Sequence, residues 1–417
     1  MQAILHIDGD GFFASCEVAQ NEALRGKPVV TGQERGMAIA MTYEAKGRGA
    51  SRGMLMGEIR KLIPDVIILP GNYDLYKVYS KRMSTIVRRY TNQVEEYSID
   101  ECFGILEGET REDIVETARC VKRDLERDLG MTFSLGLGPT KTLAKVASKW
   151  KKPAGFTAMQ HKDIRKFLEK VPIGAVWGIG RSLSAYFQKK NILTALEFAN
   201  KSQVWIEENL AKPSQELWYE LNGIQMHGVH NGHHEKHQSI RATRTFRPHS
   251  NKKSELLSEL AKNAEKACFK LRHYDLKAKT LSFFIKTQET FRYFGKEIVF
   301  TAPIATPTEI LNAIEKEFDS VFKKEYTYRA TGIVLHSIRD ASVYQPDLFN
   351  MQKESDNRIE LYKTVDDLYK KWGRGSIFLA ASLKSRMRSQ KQNPVSAKMK
   401  MEELWLKMGI PYWGEVK

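Results

Sequence analysis

Two short segments of the chain join acidic residues to strand-like apolar runs. The first, HIDGDGFFASCE, carries Asp8 and Asp10, and the second, YSIDECFG, carries Asp100 and Glu101. Short apolar runs that end in turn residues are typical of buried strands. If these two strands are neighbours, three or four carboxylates meet at one edge of a sheet. Close carboxylates raise each other's pKa and cost free energy unless a cation neutralises them.

The type of ligand narrows the choice of cation. Hard oxygen ligands suit Mg²⁺, which prefers one or two carboxylates together with the phosphate oxygens of a substrate. The chemistry implied is therefore phosphoryl or nucleotidyl transfer. Aspartate at the end of a strand is also common in turns, so the two segments alone leave a structural role open.

The spacing of apolar residues predicts the elements that hold these acids. A helix is expected over residues 12–24, a second from residue 73 onward and a third over residues 114–129, each between strand-like runs such as FSLGLG. The order strand, helix, strand, strand, helix, strand is the split βαβ pattern of a ferredoxin-like domain. Residues 161–226 are predicted to be helical, and residues 239–338 alternate between strand-rich and helix-rich segments.

Composition limits the class of protein. A chain of 417 residues with 42% apolar content can bury a core in two to four domains. The net charge of +16 indicates a polyanionic partner, although a ribosomal or membrane-surface protein would show a similar charge. No signal peptide or membrane-spanning run is recognisable, so we expect a soluble, cytoplasmic protein with no membrane partner. The four cysteines show no paired spacing and are expected to be reduced.

Several stretches resemble the Y-family of translesion DNA polymerases, in the order and spacing of that family. In the first half of the chain they are HIDGDGFFASCE, GKPVV, TYEAKGRGASRGM, LPGNYDLY, YSIDE, GLGPTKTLAKVASKWKKPAG and VWGIG. The later stretches HYDLKAKTLSFFIKT, YRATGIVLHS, QPDLF and GRGSIFLAAS resemble most the catalytic subunit of bacterial DNA polymerase V. The resemblance extends over nearly the whole chain.

The resemblance implies an α+β multidomain fold, the right-hand polymerase. Its expected parts are a ferredoxin-like palm (residues 1–10 and 73–160), small fingers (11–72), a helical thumb with a helix-hairpin-helix (161–226), a linker (227–238), an α/β little finger (239–338) and a C-terminal tail (339–417). The implied activity is template-directed DNA synthesis across lesions, with low fidelity and no proofreading. The implied cofactor is Mg²⁺, as two ions that Mn²⁺ can replace. The implied partners are primer-template DNA, deoxynucleoside triphosphates, the β sliding clamp and accessory subunits.

Residue roles follow from the resemblance position by position. The implied catalytic acids and metal ligands are Asp8, Asp100 and Glu101, with the main-chain carbonyl of Gly9 as a further ligand. Asp10 is expected to play a supporting role. The implied nucleotide-binding residues are Gly11, Phe12, Phe13, Tyr43, Lys46 and Lys152. Phe13 is the implied steric gate, an aromatic ring that collides with a ribose 2′-hydroxyl.

Three of these positions depart from the family's pattern. Gly9 and Gly11 replace bulkier residues, and Lys46 replaces an Arg that many relatives carry, so a bidentate phosphate contact would be lost. Arg48 or Arg52 could compensate for that loss.

DNA-binding and clamp-binding residues are implied further along the chain. The thumb would bind a DNA phosphate through Gly178, Gly180 and Arg181, and the little finger would bind phosphates through Arg241, Arg244, Lys277 and Lys279. The clamp peptide would use Gln345, Leu348 and Phe349. The His-rich stretch HGVHNGHHEKHQ is interpreted as a linker, because its spacing fits no standard zinc pattern.

Two other functions stay open at this stage. A nucleotidyl cyclase could use the same palm but would need neither the thumb, the basic little finger nor the clamp peptide. A catalytically inactive, clamp-recruited accessory protein would be expected to lack the three acids.

Overall fold

The computed structural model of the chain describes residues 1–231, 237–342, 351–373 and 375–392. The chain forms two compact units that divide between residues 233 and 234. Within the described residues no helix is both long enough and apolar enough to cross a membrane.

The first unit contains a five-stranded and a three-stranded sheet. Its strands are β1 (Gln2–Gly9), β2 (Val29–Thr31), β3 (Ala40–Met41), β4 (Ile67–Leu69), β5 (Val94–Glu96), β6 (Glu101–Glu107), β7 (Phe133–Gly138) and β8 (Phe156–Ala158). Its helices are α1 (Phe12–Gln20), α2 (Tyr43–Gly47), α3 (Met56–Leu62), α4 (Tyr73–Val87), α5 (Arg111–Leu129), α6 (Lys141–Trp150), α7 (Ile164–Glu169), α8 (Arg181–Lys189), α9 (Ala195–Ala199), α10 (Gln203–Asn209) and α11 (Lys212–Leu221).

The five-stranded sheet has the order β5-β6-β1-β7-β8. Strand β1 lies at its centre, antiparallel to both β6 and β7. Because both faces of β1 are covered, its sequence is an almost continuous apolar run, as the sequence predicts. Helices α4 and α5 pack on one face, in a core that includes Leu5, Tyr76, Val121 and Phe133.

Helix α6 covers the other face at unusually short range. A Cβ atom at Gly136 would lie 2.2 Å from the Ala144 carbonyl oxygen, and one at Gly138 would lie 2.6 Å from the Ala144 nitrogen. These two glycines of β7 therefore let the backbone of α6 lie directly on the sheet. This contact brings the lysines of α6 close to the strands that carry the acids.

The predicted helix over residues 12–24 is shorter in the structure. Helix α1 ends at Gln20, and a single 3₁₀ turn follows at Glu22–Leu24. The reason is local: Asn21 has an extended backbone, and its side chain accepts a hydrogen bond from the amide of Ala23, which competes with the helix. The helix predicted near residues 114–129 is present as α5 and starts at Arg111, behind the capping residue Thr110.

The three-stranded sheet has the order β3-β2-β4 and a small core of its own, which includes Val30, Ile59 and Ile63. Helices α7 to α11 form a third core around Leu168, Phe187 and Phe198. Both observations agree with the compact insertion and the helical segment expected from the sequence.

The start of the predicted linker is fastened to the first unit. Glu220, which is fully buried, accepts hydrogen bonds from the amides of Met226 and His227 at 2.8 and 3.1 Å. The amide of His230 donates to Glu95 at 2.9 Å, and Asn231 accepts from the amide of β5 residue Val94. Residues 227–231 of the predicted linker are therefore held to the first unit by hydrogen bonds.

The second unit is an antiparallel sheet with helices on one face. Its elements are β9 (Ile240–Ser250), α12 (Lys253–His273), β10 (Leu276–Thr287), β11 (Tyr293–Ile304), α13 (Pro307–Val321), β12 (Tyr328–Asp340), α14 (Met351–Trp372) and α15 (Leu383–Gln392). The sheet order is β11-β10-β12-β9. Helices α14 and α15 are tied to α12 by ion pairs such as Arg272 with Asp366 at 2.7 Å.

Candidate active site

The proposed catalytic acids lie on two neighbouring strands. Asp8 and Glu101 are direct cross-strand partners in the antiparallel pair of β1 and β6. The amide of Gly9 donates to the carbonyl oxygen of Asp100 at 2.9 Å, which fixes the start of β6 against the end of β1. The two acidic segments lie on neighbouring strands, as predicted, but the second strand is placed differently: the run before Asp100 is a strand only as far as Glu96 (β5), and Glu101 begins β6 instead of ending a strand.

Lysines neutralise two of these acids. Lys145 Nζ lies 2.6 Å from Glu101 Oε2, and Lys152 Nζ forms an ion pair with Asp8 Oδ1. Asp100 Oδ1 instead accepts a hydrogen bond from the hydroxyl of Ser98. Across the described residues, no group of three or more acidic, His or Cys side chains is arranged to hold a metal ion. The three side chains thus lie at one edge of the sheet, as the sequence predicts, with Asp8 and Glu101 each paired with a lysine.

The electrostatics of the two paired acids differ. Burial raises the pKa of Asp8 to about 6, against the lowering effect of Lys152 and together with the nearby charges of Glu101 and Asp100. Burial also raises the pKa of Glu101, but hydrogen bonds with His6 and Lys145 outweigh it and lower that pKa to about 2. Burial lowers the pKa of His6 to about 4, so this ring is neutral at pH 7. Lys145 therefore supplies the positive charge that keeps Glu101 ionised.

His6 and Lys145 are residues that the sequence analysis did not single out. His6 is fully buried, with Nδ1 2.7 Å from Ser148 Oγ and Nε2 3.9 Å from Glu101 Oε2. Ser148 Oγ also lies 3.0 Å from the carbonyl oxygen of Lys145, so this serine joins the His6 ring to the backbone of α6. The sequence contained a pattern that could have indicated Lys145. Within the segment TKTLAKVASKW, Lys141, Lys145 and Ser148 are spaced to lie on one face of a helix.

Asp10 lies behind the acids rather than among them. It is 1% exposed, accepts a hydrogen bond from Ser134 Oγ at 2.8 Å and accepts another from the amide of Ala154 at 2.7 Å. The second bond holds the loop that carries Lys152. This placement fits the supporting role expected for Asp10.

A cavity of about 550 Å³ opens in front of the acids. Its lining includes every residue predicted to bind metal or nucleotide, namely Asp8, Gly9, Gly11, Phe12, Phe13, Tyr43, Lys46, Asp100, Glu101 and Lys152. Ser51 and Arg52 also line the cavity. A single concave site lined by both acids and cations can hold a polyphosphate next to a metal-binding edge.

Phe13 is held rigidly in this cavity. Its ring stacks on Tyr76 with centroids 4.4 Å apart and planes 9° apart, and it meets Tyr73 edge-on at 5.6 Å. The Tyr76 hydroxyl in turn donates to Glu17 at 2.7 Å. A ring fixed in this way can exclude a substituent by steric contact.

The cations of the cavity differ from the sequence prediction in one respect. Arg48 makes a bidentate ion pair with Asp65, at 2.8 and 2.6 Å, and does not line the cavity. Arg52 is therefore the arginine available to replace the phosphate contact that Lys46 cannot make. Burial raises the pKa of Tyr43 to about 12, with the charges of Asp10 and Asp8 adding to the shift, so its hydroxyl is a donor at neutral pH.

Steric contacts explain why glycine occupies positions 9 and 11, where the family has bulkier residues. A Cβ atom at Gly9 would lie 2.6 Å from the ring of Phe12, and one at Gly11 would lie 2.6 Å from the Met41 carbonyl oxygen. Gly11 also has φ of +57°, a left-handed conformation that favours glycine. Phe12 is buried, with 3% of its surface exposed, so only its backbone is available to a nucleotide.

The glycine-rich turn predicted in the helical segment is present. Gly178 has φ of +92°, and Gly180 is the N-cap of α8, whose first residue is the exposed Arg181. No protein atom lies within 4 Å of the place that a Cβ atom of Gly180 would occupy. The turn thus leaves backbone amides accessible to an anion.

The basic residues of the second unit lie on both sides of its sheet. Arg241 is exposed, and Lys277 and Lys279 are half-buried on the side away from the helices. Arg244 is three residues from Arg241, so it points to the opposite face, where its Nε lies 3.8 Å from Glu259 Oε2 of α12. Arg244 therefore does not belong to the phosphate track predicted for it.

The predicted clamp peptide, with Gln345, Leu348 and Phe349, lies outside the described residues. Among the His residues of the predicted linker, those within the described part of the chain form no metal-binding group. The thiols of Cys16, Cys102, Cys120 and Cys268 are free, as predicted.

Comparison with known proteins gives consistent matches along the chain. The impB/mucB/samB family matches residues 7–149, the C-terminal domain of that family matches residues 237–348, and its helix-hairpin-helix motif matches residues 161–192. DNA polymerase IV 1 of Bacillus subtilis is 29% identical over 391 residues, which cover 91% of this chain and 93% of that protein. DNA polymerase IV of Staphylococcus epidermidis is 28% identical over 343 residues, which cover 81% of this chain and 96% of that protein.

Solved structures show the same fold. A Y-family DNA polymerase chimera of Dbh and Dpo4 matches with a TM-score of 0.69 and 22% identity, and the match covers 81% of this chain and 99% of that one. DinB from Sulfolobus solfataricus matches with a TM-score of 0.51 and 21% identity over 81% of this chain and 98% of that one. The α+β right-hand polymerase fold predicted from the sequence is confirmed.

Proposed function

Because this chain belongs to the impB/mucB/samB family and is a DNA-directed DNA polymerase of the Y-family, we propose that it copies damaged templates at the edge formed by Asp8, Asp100 and Glu101. The observation that carries this proposal is the shared cavity. The cavity is lined both by the cross-strand carboxylates and by Lys46 and Arg52. Triphosphate binding and metal-dependent nucleotidyl transfer need this combination.

Polymerases of this family depend on metal ions, and the donor set at the acidic edge fits a hard cation. The side-chain donors are carboxylate oxygens, and the pKa of Asp8 is raised mainly by burial and further by the charges of Glu101 and Asp100, two effects that a bound cation would oppose. We propose Mg²⁺, as two ions that Mn²⁺ can replace, with Asp8, the carbonyl of Gly9, Asp100 and Glu101 as ligands. Such ions activate an attacking hydroxyl and stabilise a leaving pyrophosphate.

The residues of the chain have separate tasks in this proposal. Lys152, now paired with Asp8, exchanges that partner for the triphosphate when a nucleotide binds. Lys46 and Arg52 neutralise further phosphate charge, and the protonated hydroxyl of Tyr43 donates a hydrogen bond to a phosphate oxygen. Phe13 occupies the space that a ribose 2′-hydroxyl would need.

The proposed division into palm (1–10 and 73–160), fingers (11–72), thumb (161–226) and little finger (239–338) follows the sheets and cores of the two units. Gly178, Gly180 and Arg181 would bind a DNA phosphate, and Arg241, Lys277 and Lys279 would form the phosphate track of the little finger. The peptide at residues 345–349 would recruit the enzyme to the β sliding clamp. We place the enzyme in the cytoplasm, where it would meet replicating DNA.

Low fidelity and the absence of proofreading are part of the proposal, because the resemblance to the Y-family implies both. The finer assignment to the catalytic subunit of DNA polymerase V rests on the later stretches of sequence, whereas the curated relatives named above are DNA polymerase IV. Dependence of lesion bypass on accessory subunits would distinguish the two types.

Primer extension tests the proposal. With Mg²⁺ and a template that contains an abasic site, the wild-type protein should add nucleotides opposite and beyond the lesion. Asp100→Ala should abolish addition while primer-template affinity stays nearly unchanged, because DNA is held by distant cations. Asp74→Ala is the matched control, since Asp74 is a half-exposed acid on α4 that forms an ion pair with Lys77 one turn away.

One alternative is favoured by a specific observation. The lysine-neutralised acids would suit a catalytically inactive, clamp-recruited accessory protein. The same experiment decides: extension by Asp100→Ala at more than about a tenth of the wild-type rate, or no extension by the wild type, would contradict catalysis at these acids.

A further inference from the structure

The turn that carries Gly178 and Gly180 contacts the acidic hairpin through two aromatic residues. The indole N–H of Trp177, directly before Gly178, donates a hydrogen bond to the hydroxyl of Tyr97 at 3.0 Å. The two rings also meet edge-on, with centroids 5.3 Å apart and planes 84° apart. Tyr97 lies four residues before Glu101 on the same hairpin.

The aromatic pair also surrounds the cation that neutralises Glu101. Lys145 Nζ lies 4.6 Å from the ring centroid of Tyr97 and 5.1 Å from that of Trp177, while it lies 2.6 Å from Glu101 Oε2. Lys145 is only 6% exposed, so the two rings and the carboxylate replace most of the water that an ammonium group would otherwise hold. Phe103, which is fully buried, packs against both rings at 5.7 and 6.0 Å.

The contacts among Trp177, Tyr97, Lys145 and Glu101 form a connected series, in which the position of each side chain restricts the position of the next. A shift of the turn moves Trp177, and Trp177 can move only if the hydrogen bond to Tyr97 breaks or Tyr97 follows. A shift of either ring alters the environment of Lys145, and so the position and charge balance of Glu101. Tyr97 is 41% exposed, so burial alone does not fix its position.

We propose that Trp177 and Tyr97 are positioning residues that couple DNA binding at the Gly178 turn to the placement of Glu101 through Lys145. The proposal rests on the proposed polymerase function for its consequence in catalysis. Binding of a DNA phosphate at the turn fixes Trp177, which fixes Tyr97 and the Lys145–Glu101 pair. The enzyme then holds Glu101 in place when DNA is bound and less firmly when it is not.

Two conservative variants remove the same hydrogen bond from opposite sides. Trp177→Phe removes the indole N–H donor and leaves a smaller aromatic ring at position 177. Tyr97→Phe removes the acceptor oxygen and keeps both aromatic rings. The matched control is Trp218→Phe, because Trp218 donates an indole hydrogen bond of the same length, 3.0 Å, to the carbonyl oxygen of Ala199. Trp218 packs against the core of helices α7 to α11.

The first measurement is amide hydrogen exchange of residues 97–103, with and without primer-template duplex, in the absence of nucleotide and metal. In the wild type and in Trp218→Phe, duplex should slow exchange of this hairpin. In each of the two variants this protection should fall by about fivefold, the size expected for one hydrogen bond, and the double variant should lose no more than either single one. Primer-template affinity should stay within about twofold of the wild type, since the phosphate contacts remain.

The second measurement is single-turnover nucleotide addition at saturating nucleotide. The rate should fall by about fivefold in both variants with an unchanged nucleotide KM, whereas Trp218→Phe should keep the wild-type rate. If duplex gives the wild type no hairpin protection, or if both variants behave like Trp218→Phe in exchange, the coupling is wrong. If the wild type extends no primer, the proposed function fails, and the exchange measurement still decides the coupling. If Trp177→Phe melts well below the control, Tyr97→Phe carries the test.

Discussion

Replacing Asp8 by Asn should stabilise the metal-free protein at neutral pH, although it removes a proposed catalytic acid. Burial raises the pKa of Asp8 from 3.8 to about 6, and Lys152 only partly opposes that rise. A rise of about two pKa units corresponds to about 3 kcal/mol of unfavourable free energy for the ionised form. Asn has nearly the same shape and no charge, so Asp8→Asn should raise the free energy of unfolding at pH 7.5 by up to about 3 kcal/mol.

The stability difference between Asp8→Asn and the wild type should depend on pH in a defined direction. Because the pKa of Asp8 is higher in the folded than in the unfolded protein, the stability that its protonated form contributes is fully present below pH 3.8 and is lost as pH rises to about 6. The advantage of Asp8→Asn over the wild type should therefore be small at low pH, grow between these two values and stay constant above them.

Glu101→Gln is a control at the same edge of the sheet, and it should change the free energy of unfolding in the opposite direction. Hydrogen bonds with His6 and Lys145 outweigh burial and lower the pKa of Glu101 from 4.5 to about 2. A folded-state pKa below the unfolded one contributes stability that is present above pH 4.5 and is lost as pH falls towards 2. Glu101→Gln should therefore lower the free energy of unfolding at pH 7.5 by about 3 kcal/mol, since Lys145 also loses its partner.

Urea unfolding with EDTA between pH 5 and 8 is the assay. Because the chain has two units, amide exchange of β1 and β6 should accompany it, so that the stability of the first unit is measured separately. Added Mg²⁺ should stabilise the wild type and leave Asp8→Asn nearly unchanged. An Asp8→Asn protein that is no more stable than the wild type at pH 7.5, or an advantage that does not vary with pH, would refute the reasoning. The ion pair with Lys152 would then outweigh the cost of burial.

Three further predictions concern separate parts of the chain. Phe13→Ala should raise ribonucleotide incorporation relative to deoxyribonucleotide by about tenfold or more in single-nucleotide assays, and an unchanged ratio would make Phe13 an ordinary packing residue. Replacing Lys277 and Lys279 by Ala should flatten the log-log salt dependence of primer-template affinity by about one unit per lost phosphate contact, and an unaltered slope would place the DNA elsewhere. Changing Gln345, Leu348 and Phe349 together to Ala should leave unassisted synthesis intact and remove stimulation by a loaded β clamp, because apolar anchors dominate so small an interface; undiminished stimulation, with no binding of a peptide spanning residues 344–350, would contradict this.

The sequence by itself determined the features that depend on local pattern. The apolar run before Asp8 predicted strand β1, helical spacing predicted α5, and the two acidic segments predicted a shared edge of one sheet. The run before Asp100 predicted a single strand where the structure has β5, a turn and the start of β6. The match of the sequence to its family also predicted the right-hand fold. These features could be predicted because the periodicity of a strand or helix depends on residues that are close together in the sequence.

Only the tertiary structure decided which groups surround the acids. Lys145 reaches Glu101 because the glycines of β7 admit α6 against the sheet, and Asp10 holds the loop of Lys152 because β1 lies beside β7. Likewise, the ion pair of Arg48 with Asp65 removes this arginine from the cavity. Packing between segments that are far apart in the sequence determines these partners. A local sequence pattern does not specify the register of such segments or how closely they approach each other.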